Sequence, residues 1–359
     1  MRKIILTFLM FFGLTGAVFA QTDLQVLAVA KYDGSESITV KQLKNYCEIK
    51  AKQIGRKLTV DEKKQVLEAL IQEKLILQAA GKAGIAIPAS AIDDYFIQNM
   101  SLQVGAQVTE KELNDMIVKS KGITLDQLLY NQTGMNVADY KSYLKNQLIM
   151  QQYIVQQKKD DIQKVTVSDA EVRNFYEGKK TQFVQTDMLK LFIAIVPKGT
   201  NPDAAKNKCN DLLNKYKTKK MTSDQIVAQS KTDSTPYQAG EMLVPKTESS
   251  AVGLGMEYNN LLWLFDQSEG YVSDLNETST DYRFIVIIKK YKAKMLGLND
   301  EAQPESKVTV YDYIKQVLLQ QKQMEFVQQA GDEIVKSLFK PENYQYKKTG
   351  ADLDKLLNW

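Results

Sequence analysis

The sequence contains no histidine and only two cysteines among its 359 residues. Without histidine, the chain cannot use a Ser-His or Cys-His pair for nucleophilic catalysis, and it lacks the commonest metal ligand. Cys47 and Cys209 are isolated, so they form no zinc-binding motif. P-loop and dinucleotide-binding fingerprints are absent as well. We therefore expect no catalytic residue of these classes, no metal site and no cofactor.

A strong net charge is also missing, because 47 basic and 43 acidic residues give a net charge of +4. Arg2 and Lys3 lie in a segment that we expect to be removed, which brings the charge still closer to zero. A charge this small does not favour nucleic acid or an anionic membrane as a partner.

Only one apolar run stands out, and it lies at the start of the chain. Arg2 and Lys3 precede the apolar stretch 4–14, and small residues follow up to Ala20. This is the pattern of a secretory signal peptide, and the run is too short for a comfortable transmembrane span. We predict cleavage after Ala20 and an exported protein with no integral membrane span. Export permits a disulfide, but the sequence leaves the pairing of Cys47 with Cys209 open.

Helix starts are the clearest local signals. A threonine or serine followed three residues later by glutamate or glutamine is a capping box, and the pattern occurs at Thr59, Thr109, Thr124 and Ser168. A wide apolar stripe follows the first of these, which requires partner helices, and Gly84 is placed to end that helix in a left-handed cap. Residues 35 to about 180 are predicted to be almost wholly helical.

The pattern changes at Met188, where apolar residues alternate with period two over 188–195. Asn201-Pro202 then predicts a helix start, and 283–289 predicts a closing strand. Residues 187–295 therefore form a small α+β domain. A polar stretch at 296–307 is typical of a linker, and an amphipathic helix follows from Val310 that must pack on the N-terminal helices.

Two stretches, AVAKYDGSESITVKQLKNY at 28–46 and VLEALIQEKLILQAAGKAGIAI at 66–87, carry a family resemblance. They resemble the N-terminal helical domain of SurA-like and PrsA-like periplasmic chaperones. The resemblance implies that the helical domain and the returning C-terminal helix form an apolar cradle, which holds unfolded secreted or outer-membrane polypeptides.

Residues 187–295 resemble a parvulin-type prolyl isomerase domain, mainly through the order of its motifs and through FDQSEGYVS at 265–273. The resemblance places Leu191, Glu241, Phe265 and Arg283 at the pocket positions. Leu191 replaces the first histidine of the family pattern, and the second histidine falls at or beside Arg283. We therefore expect a degenerate pocket that has lost most isomerase activity, in which Glu241 and Arg283 could pair across the cleft.

The fold class that follows is mainly α with an α+β insertion: a helical SurA-like domain completed by a C-terminal helix, plus one parvulin-like domain. The predicted boundaries are a signal peptide at 1–20, the helical domain at 21–186, the parvulin-like domain at 187–295, a linker at 296–307 and the returning helix at 308–359. The predicted function is a periplasmic folding chaperone for unfolded or extended polypeptides. An active prolyl isomerase and an envelope interaction protein without chaperone activity are the alternatives, and dimerisation is left open.

Overall fold

The computed structural model describes residues 23–232 and 236–359, so the predicted signal peptide lies outside the described residues. The helices in these ranges are α1 (Val40–Ile54), α2 (Val60–Lys82), α3 (Ala89–Val104), α4 (Glu110–Lys121), α5 (Leu125–Thr133), α6 (Val137–Gln157), α7 (Lys159–Gln163), α8 (Asp169–Lys179), α9 (Pro202–Lys217), α10 (Ser223–Ser230), α11 (Glu248–Gly253), α12 (Tyr258–Asp266), α13 (Val310–Leu338) and α14 (Gly350–Leu357). The strands are β1 (Val26–Ala30), β2 (Glu36–Thr39), β3 (Val184–Gln185), β4 (Met188–Pro197), β5 (Gln238–Pro245), β6 (Asn276–Glu277), β7 (Asp281–Tyr291), β8 (Lys294–Met295) and β9 (Tyr344–Tyr346).

The helix ends follow the local hydrogen-bonding chemistry of the sequence. Complete capping boxes begin α2, α4, α5 and α8, as predicted. After α2, Gly84 has a φ of 76°, and the Ile85 amide donates to the Ala80 carbonyl at 2.9 Å. This is the Schellman pattern, in which a glycine adopts the left-handed conformation at no steric cost. The predicted end of the helix at Gly84 is confirmed.

The chain divides into two compact units, unit 1 formed by the residues up to Thr166 together with Gln321–Trp359, and unit 2 formed by Val167–Gln320. The N-terminal limit of unit 2 lies ahead of the predicted boundary at residue 187, because Val172 and Tyr176 of α8 pack in one core with Leu296 and Val310. The predicted linker is also anchored within this unit, since the Tyr176 hydroxyl donates to the Leu296 carbonyl at 2.8 Å.

In unit 1, segments from both ends of the chain share one core. Strand β1 lies between β2 and β9 in an antiparallel sheet, so that Ala28 is opposite Ile38 on one side and Tyr346 on the other. Leu338 of α13 and Leu357 of α14 pack in the same apolar cluster as the stripe of α2. The C-terminal segment therefore completes the helical domain, as predicted. A second apolar cluster joins α3, α4 and α5.

Unit 2 contains an antiparallel sheet in the order β5-β4-β7-β6, with helices on both faces. Alternate residues of the central strand β4 face different cores because side chains alternate across a strand. Phe192 packs with α9 and α10, whereas Leu191 packs with α11 and α12. The fold class, mainly α with an α+β insertion, is confirmed. Cys47 in unit 1 and Cys209 in unit 2 are both free and buried.

Candidate functional site

Unit 1 contains a cavity of about 680 Å³ between α1, α2, α5 and α6. Its lining residues fall within 45–53, 66–73 and 130–146. Val66 and Leu70 of α2, both buried, form an apolar part of this lining. A concave site with apolar surface and a few polar groups is the usual form of a binding pocket in proteins.

Tyrosine rings line much of the cavity. Tyr46, Tyr130 and Tyr143 are 38%, 50% and 39% exposed, so each offers ring surface to a bound molecule. Tyrosine combines a large apolar surface with a hydroxyl group, and it loses little conformational entropy on binding. The cavity can therefore hold apolar and polar parts of a chain segment without demanding one sequence.

Glu73 is the half-buried carboxylate of the cavity. The Tyr46 hydroxyl donates to Glu73 Oε2 at 3.3 Å, and the Asn146 side-chain amide donates to Glu73 Oε1 at 3.0 Å. Burial and the nearby Glu73 carboxylate raise the pKa of Tyr46 to about 12. Tyr46 therefore remains a neutral hydrogen-bond donor at physiological pH.

The wall formed by α5 depends on a glycine. Gly134 follows α5 with a φ of 81°, and a Cβ atom at this position would lie 3.0 Å from Ile49 Cγ1 on α1. Next to this contact, Lys52 Nζ lies 4.0 Å from the centre of the Tyr130 ring, within the range of a cation–π interaction. These contacts hold the end of α5 against α1 and fix the position of Tyr130.

The family resemblance predicted a cradle in the helical domain, but these lining residues were not identified from the sequence. The returning C-terminal helix was expected to form part of the cradle, whereas the residues that line this cavity belong to the α1–α6 region. A partial signal was present: Tyr46, Tyr130 and Tyr143 are large aromatic residues, each directly beside a polar residue in the sequence.

In unit 2, two of the four predicted pocket positions are closed by packing. Leu191 has no exposed surface and Phe265 is 8% exposed, and both belong to the core between the sheet and helices α11 and α12. A side chain as deeply buried as Leu191 cannot contact a substrate in this conformation.

Arg283 lies on the same face of the sheet, since it is opposite Ile195 in the β4–β7 register. Its Nε and Nη2 atoms donate to the two oxygens of Asp281 at 2.6 Å, and Nη1 donates to the Leu254 carbonyl at 2.6 Å. Hydrogen bonds from Arg283 hold the pKa of the Asp281 carboxyl below its usual range. The guanidinium group therefore makes its hydrogen bonds within the domain, to Asp281 from one edge and to the Leu254 carbonyl from the other.

Glu241 lies on the opposite face, because it is opposite Phe192 in the β4–β5 register. It pairs with Lys190 at 2.9 Å, and Lys190 also contacts Glu305 at 2.8 Å. The two carboxylates, Glu305 first, raise the pKa of Lys190 above its usual range. The expected pair between Glu241 and Arg283 is thus wrong: the structure brings Leu191, Phe265 and Arg283 to one face and leaves Glu241 on the other.

Two further properties concern the whole of the described chain. Within residues 23–232 and 236–359, no three or more Cys, Asp and Glu side chains are grouped so that they could hold a metal ion. Among the helices in these same ranges, none has the length and apolar character needed to cross a bilayer.

Comparison with known proteins finds a similarity in the part of the chain that contains the cavity. Residues 2–154 match the SurA-like N-terminal domain family. The chaperone SurA of Nitrosococcus oceani is 29% identical over 157 residues, which are 42% of this chain and 32% of the relative. The chain therefore spans about a third of the length of this curated relative. The predicted resemblance to SurA-like proteins is confirmed by these matches.

Solved structures with low TM-scores were also found. One belongs to the pair of SurA-like chaperones PEB4 and Cj1289 of Campylobacter jejuni; it is 16% identical, has a TM-score of 0.33 and covers 90% of this chain and 99% of its own. PrsA of Bacillus subtilis is 19% identical, has a TM-score of 0.30 and covers 94% of this chain and 99% of its own. TM-scores this low carry no weight for the assignment, which rests on the family match.

Proposed function

We propose that the protein is an exported folding chaperone that holds unfolded polypeptide segments in the cavity of unit 1, a part of the chain that matches the SurA-like N-terminal domain family. The observation that carries the proposal is the cavity itself, which lies within the matched residues and is lined by exposed tyrosines above apolar side chains. Such a surface binds extended or amphipathic segments because flexible and amphipathic side chains adapt to different partners.

The predicted signal peptide at residues 1–20 supports action in the periplasm, and the clients would be unfolded secreted or outer-membrane proteins. No nucleotide site is predicted from the sequence. Release would therefore depend on weak binding and on folding of the client.

The experiment is an aggregation assay with the purified mature protein and an unfolded outer-membrane protein at equimolar amounts. Ala69 lines the cavity and is exposed, so Ala69→Trp fills the cavity without disturbing the core. Ala91 is an equally exposed alanine on α3, outside the cavity lining, and Ala91→Trp is the matched control. We expect the native protein and the control to suppress light scattering and Ala69→Trp to lose most of this protection.

Equal protection by both tryptophan variants would show that the cavity is not the client site. If the native protein failed to protect the client at all, an envelope interaction protein without chaperone activity would become the better interpretation.

The parvulin-like domain is proposed to have lost most isomerase activity. Rotation about a prolyl peptide bond faces a barrier of ~18–20 kcal/mol, and catalysis requires a pocket complementary to the twisted amide. Two features support the loss: Leu191 is sealed in the core, and the Arg283 guanidinium is already engaged by Asp281 and the Leu254 carbonyl. Exchange measurements by NMR on a short proline peptide test this proposal, and catalysed exchange that Phe265→Leu removes while the domain stays folded would contradict it.

A further inference from the structure

The charged groups that line the cavity of unit 1 differ in how far they are exposed to water. They are Glu48, Lys50, Lys52, Glu73 and Asp139. Water solvates four of them, because their residues are exposed, and exposed charges interact only weakly with a ligand. Glu73 is half-buried and lies one helical turn from Leu70, beside the apolar part of the lining.

The partners of Glu73 leave its charge uncompensated. Both its hydrogen-bond donors, the Tyr46 hydroxyl and the Asn146 amide, are neutral groups. In the parts of the chain that the structure describes, no lysine or arginine nitrogen comes within 4.0 Å of the Glu73 carboxylate. A carboxylate has about four lone-pair sites, so two donors leave capacity for more.

From this geometry we propose that the cavity prefers client segments in which a lysine or arginine stands next to apolar residues, with Glu73 as the counter-charge. The inference rests on the proposed chaperone function and names the chemistry of its clients. The ammonium or guanidinium group would take the free acceptor positions of Glu73. The aliphatic part of the same side chain, together with its apolar neighbours, would cover Val66 and Leu70.

The tyrosine rings strengthen the same preference. Tyr140 and Tyr143 both line the cavity, with their ring centres 6.3 Å apart. A cation near the face of an aromatic ring is attracted by the ring's quadrupole, most strongly where water is excluded. A purely apolar segment would instead bury the Glu73 charge without a partner, which is costly, and an acidic segment would be repelled by it.

The test uses a set of short, unstructured, fluorescein-labelled peptides with leucines on both sides of one central residue. The central residue is lysine, norleucine or glutamate. The three side chains differ in charge but have similar lengths. Binding to the full mature protein is measured by fluorescence anisotropy at low ionic strength. We expect the lysine peptide to bind roughly fivefold to tenfold more tightly than the norleucine peptide, the size of one partly screened charge interaction.

Glu73→Gln removes the charge and keeps the shape of the side chain. This variant is expected to lose most of the lysine preference and to bind the norleucine peptide at least as tightly as the native protein does, because the apolar peptide no longer buries an unpaired charge. Glu68→Gln is the matched control, because Glu68 is an exposed carboxylate on the same helix that is outside the cavity lining. Glu68→Gln should keep the lysine preference. Glu73→Lys provides an independent variant and should reverse the preference toward the glutamate peptide.

The outcomes separate this inference from the proposed function. Equal affinity of the native protein for the lysine and norleucine peptides, with both lost in Ala69→Trp, would overturn the charge preference and leave the chaperone cavity in place. Peptide binding that Ala69→Trp does not change would overturn the cavity as the client site. A lysine preference that survives undiminished in Glu73→Gln would show that another group provides the counter-charge and would also overturn the inference.

Discussion

Replacing Arg283 with methionine is expected to destabilise unit 2 by about 3–5 kcal/mol, because the substitution strands a buried carboxylate without its partner. Asp281 is 6% exposed, and two of the three Arg283 hydrogen bonds go to its oxygens at 2.6 Å. Methionine fills much of the same volume but donates no hydrogen bond. The Leu254 carbonyl loses its donor as well.

The pH dependence follows from the direction of the Asp281 shift. The pKa of Asp281 is lower in the folded state than in the unfolded state, where it is about 3.9. The Asp281–Arg283 pair therefore contributes its full stability above the unfolded pKa. This contribution is lost as the pH falls through the pKa of Asp281 in the folded state. The stability difference between the native protein and Arg283→Met should therefore be fully developed near neutral pH. It should shrink as the pH falls through the acidic range, first because the buried carboxylate without its partner becomes protonated in the variant, and then because the pair with Arg283 is lost in the native protein.

The assay is denaturant unfolding followed by the fluorescence of Trp263, the tryptophan of unit 2, with Trp359 of unit 1 replaced by phenylalanine. The control is Lys198→Met, which breaks the more exposed pair between Lys198 and Glu277. This control should cost less than about 1 kcal/mol. Equal losses in the two variants, or a loss in Arg283→Met that does not change with pH, would refute the interpretation of the pair as buried and structural.

Three further predictions concern other contacts. Lys63 is buried, and its ammonium group donates hydrogen bonds to backbone oxygens of Leu357 and Trp359. Lys63→Met should therefore speed amide hydrogen exchange across α14 and lower the free energy of unfolding of unit 1 by about 1–3 kcal/mol. Unchanged exchange in α14 would contradict this prediction. Gly134→Ala should lower the denaturation midpoint more than Gly105→Ala, because both glycines have positive φ but only the first meets a neighbouring helix. Burial raises the pKa of Cys47 to about 11 and that of Cys209 to about 12, so neither thiol should react with iodoacetamide at neutral pH until denaturant unfolds the protein, as mass spectrometry would show.

Features that depend on a few neighbouring residues could be predicted from the sequence. The capping boxes and the Gly84 helix end are set by hydrogen bonds within one turn of helix, and they occur where the sequence pattern predicted them. The strand at Met188 was predicted by period-two alternation and the strand near Arg283 by a run of apolar residues, and both strands occur where they were predicted.

Features that depend on contacts between distant residues could not be predicted from the sequence. The stretch 296–307 is polar in sequence, but Leu296 is buried and its carbonyl is held by Tyr176 from α8. The cavity was missed for the same reason, since Tyr46 and Tyr130 come from helices far apart in sequence and meet only in the folded domain. Arg283 was assigned a partner on the wrong face, because the strand register cannot be read from the sequence. The competing carboxylate, Asp281, was visible two residues earlier, a spacing that places both side chains on the same face of a strand.

The split composition of unit 1 has a consequence for how the protein is made. Synthesis proceeds from the N-terminus, so the continuous unit 2 can close its core once residues up to Gln320 are available. Strand β1 must wait for β9, and α2 must wait for Leu338 and Leu357, before the core of unit 1 is complete. During that interval the nascent protein exposes apolar side chains, as we expect its unfolded clients to do, and it would need protection of its own from aggregation.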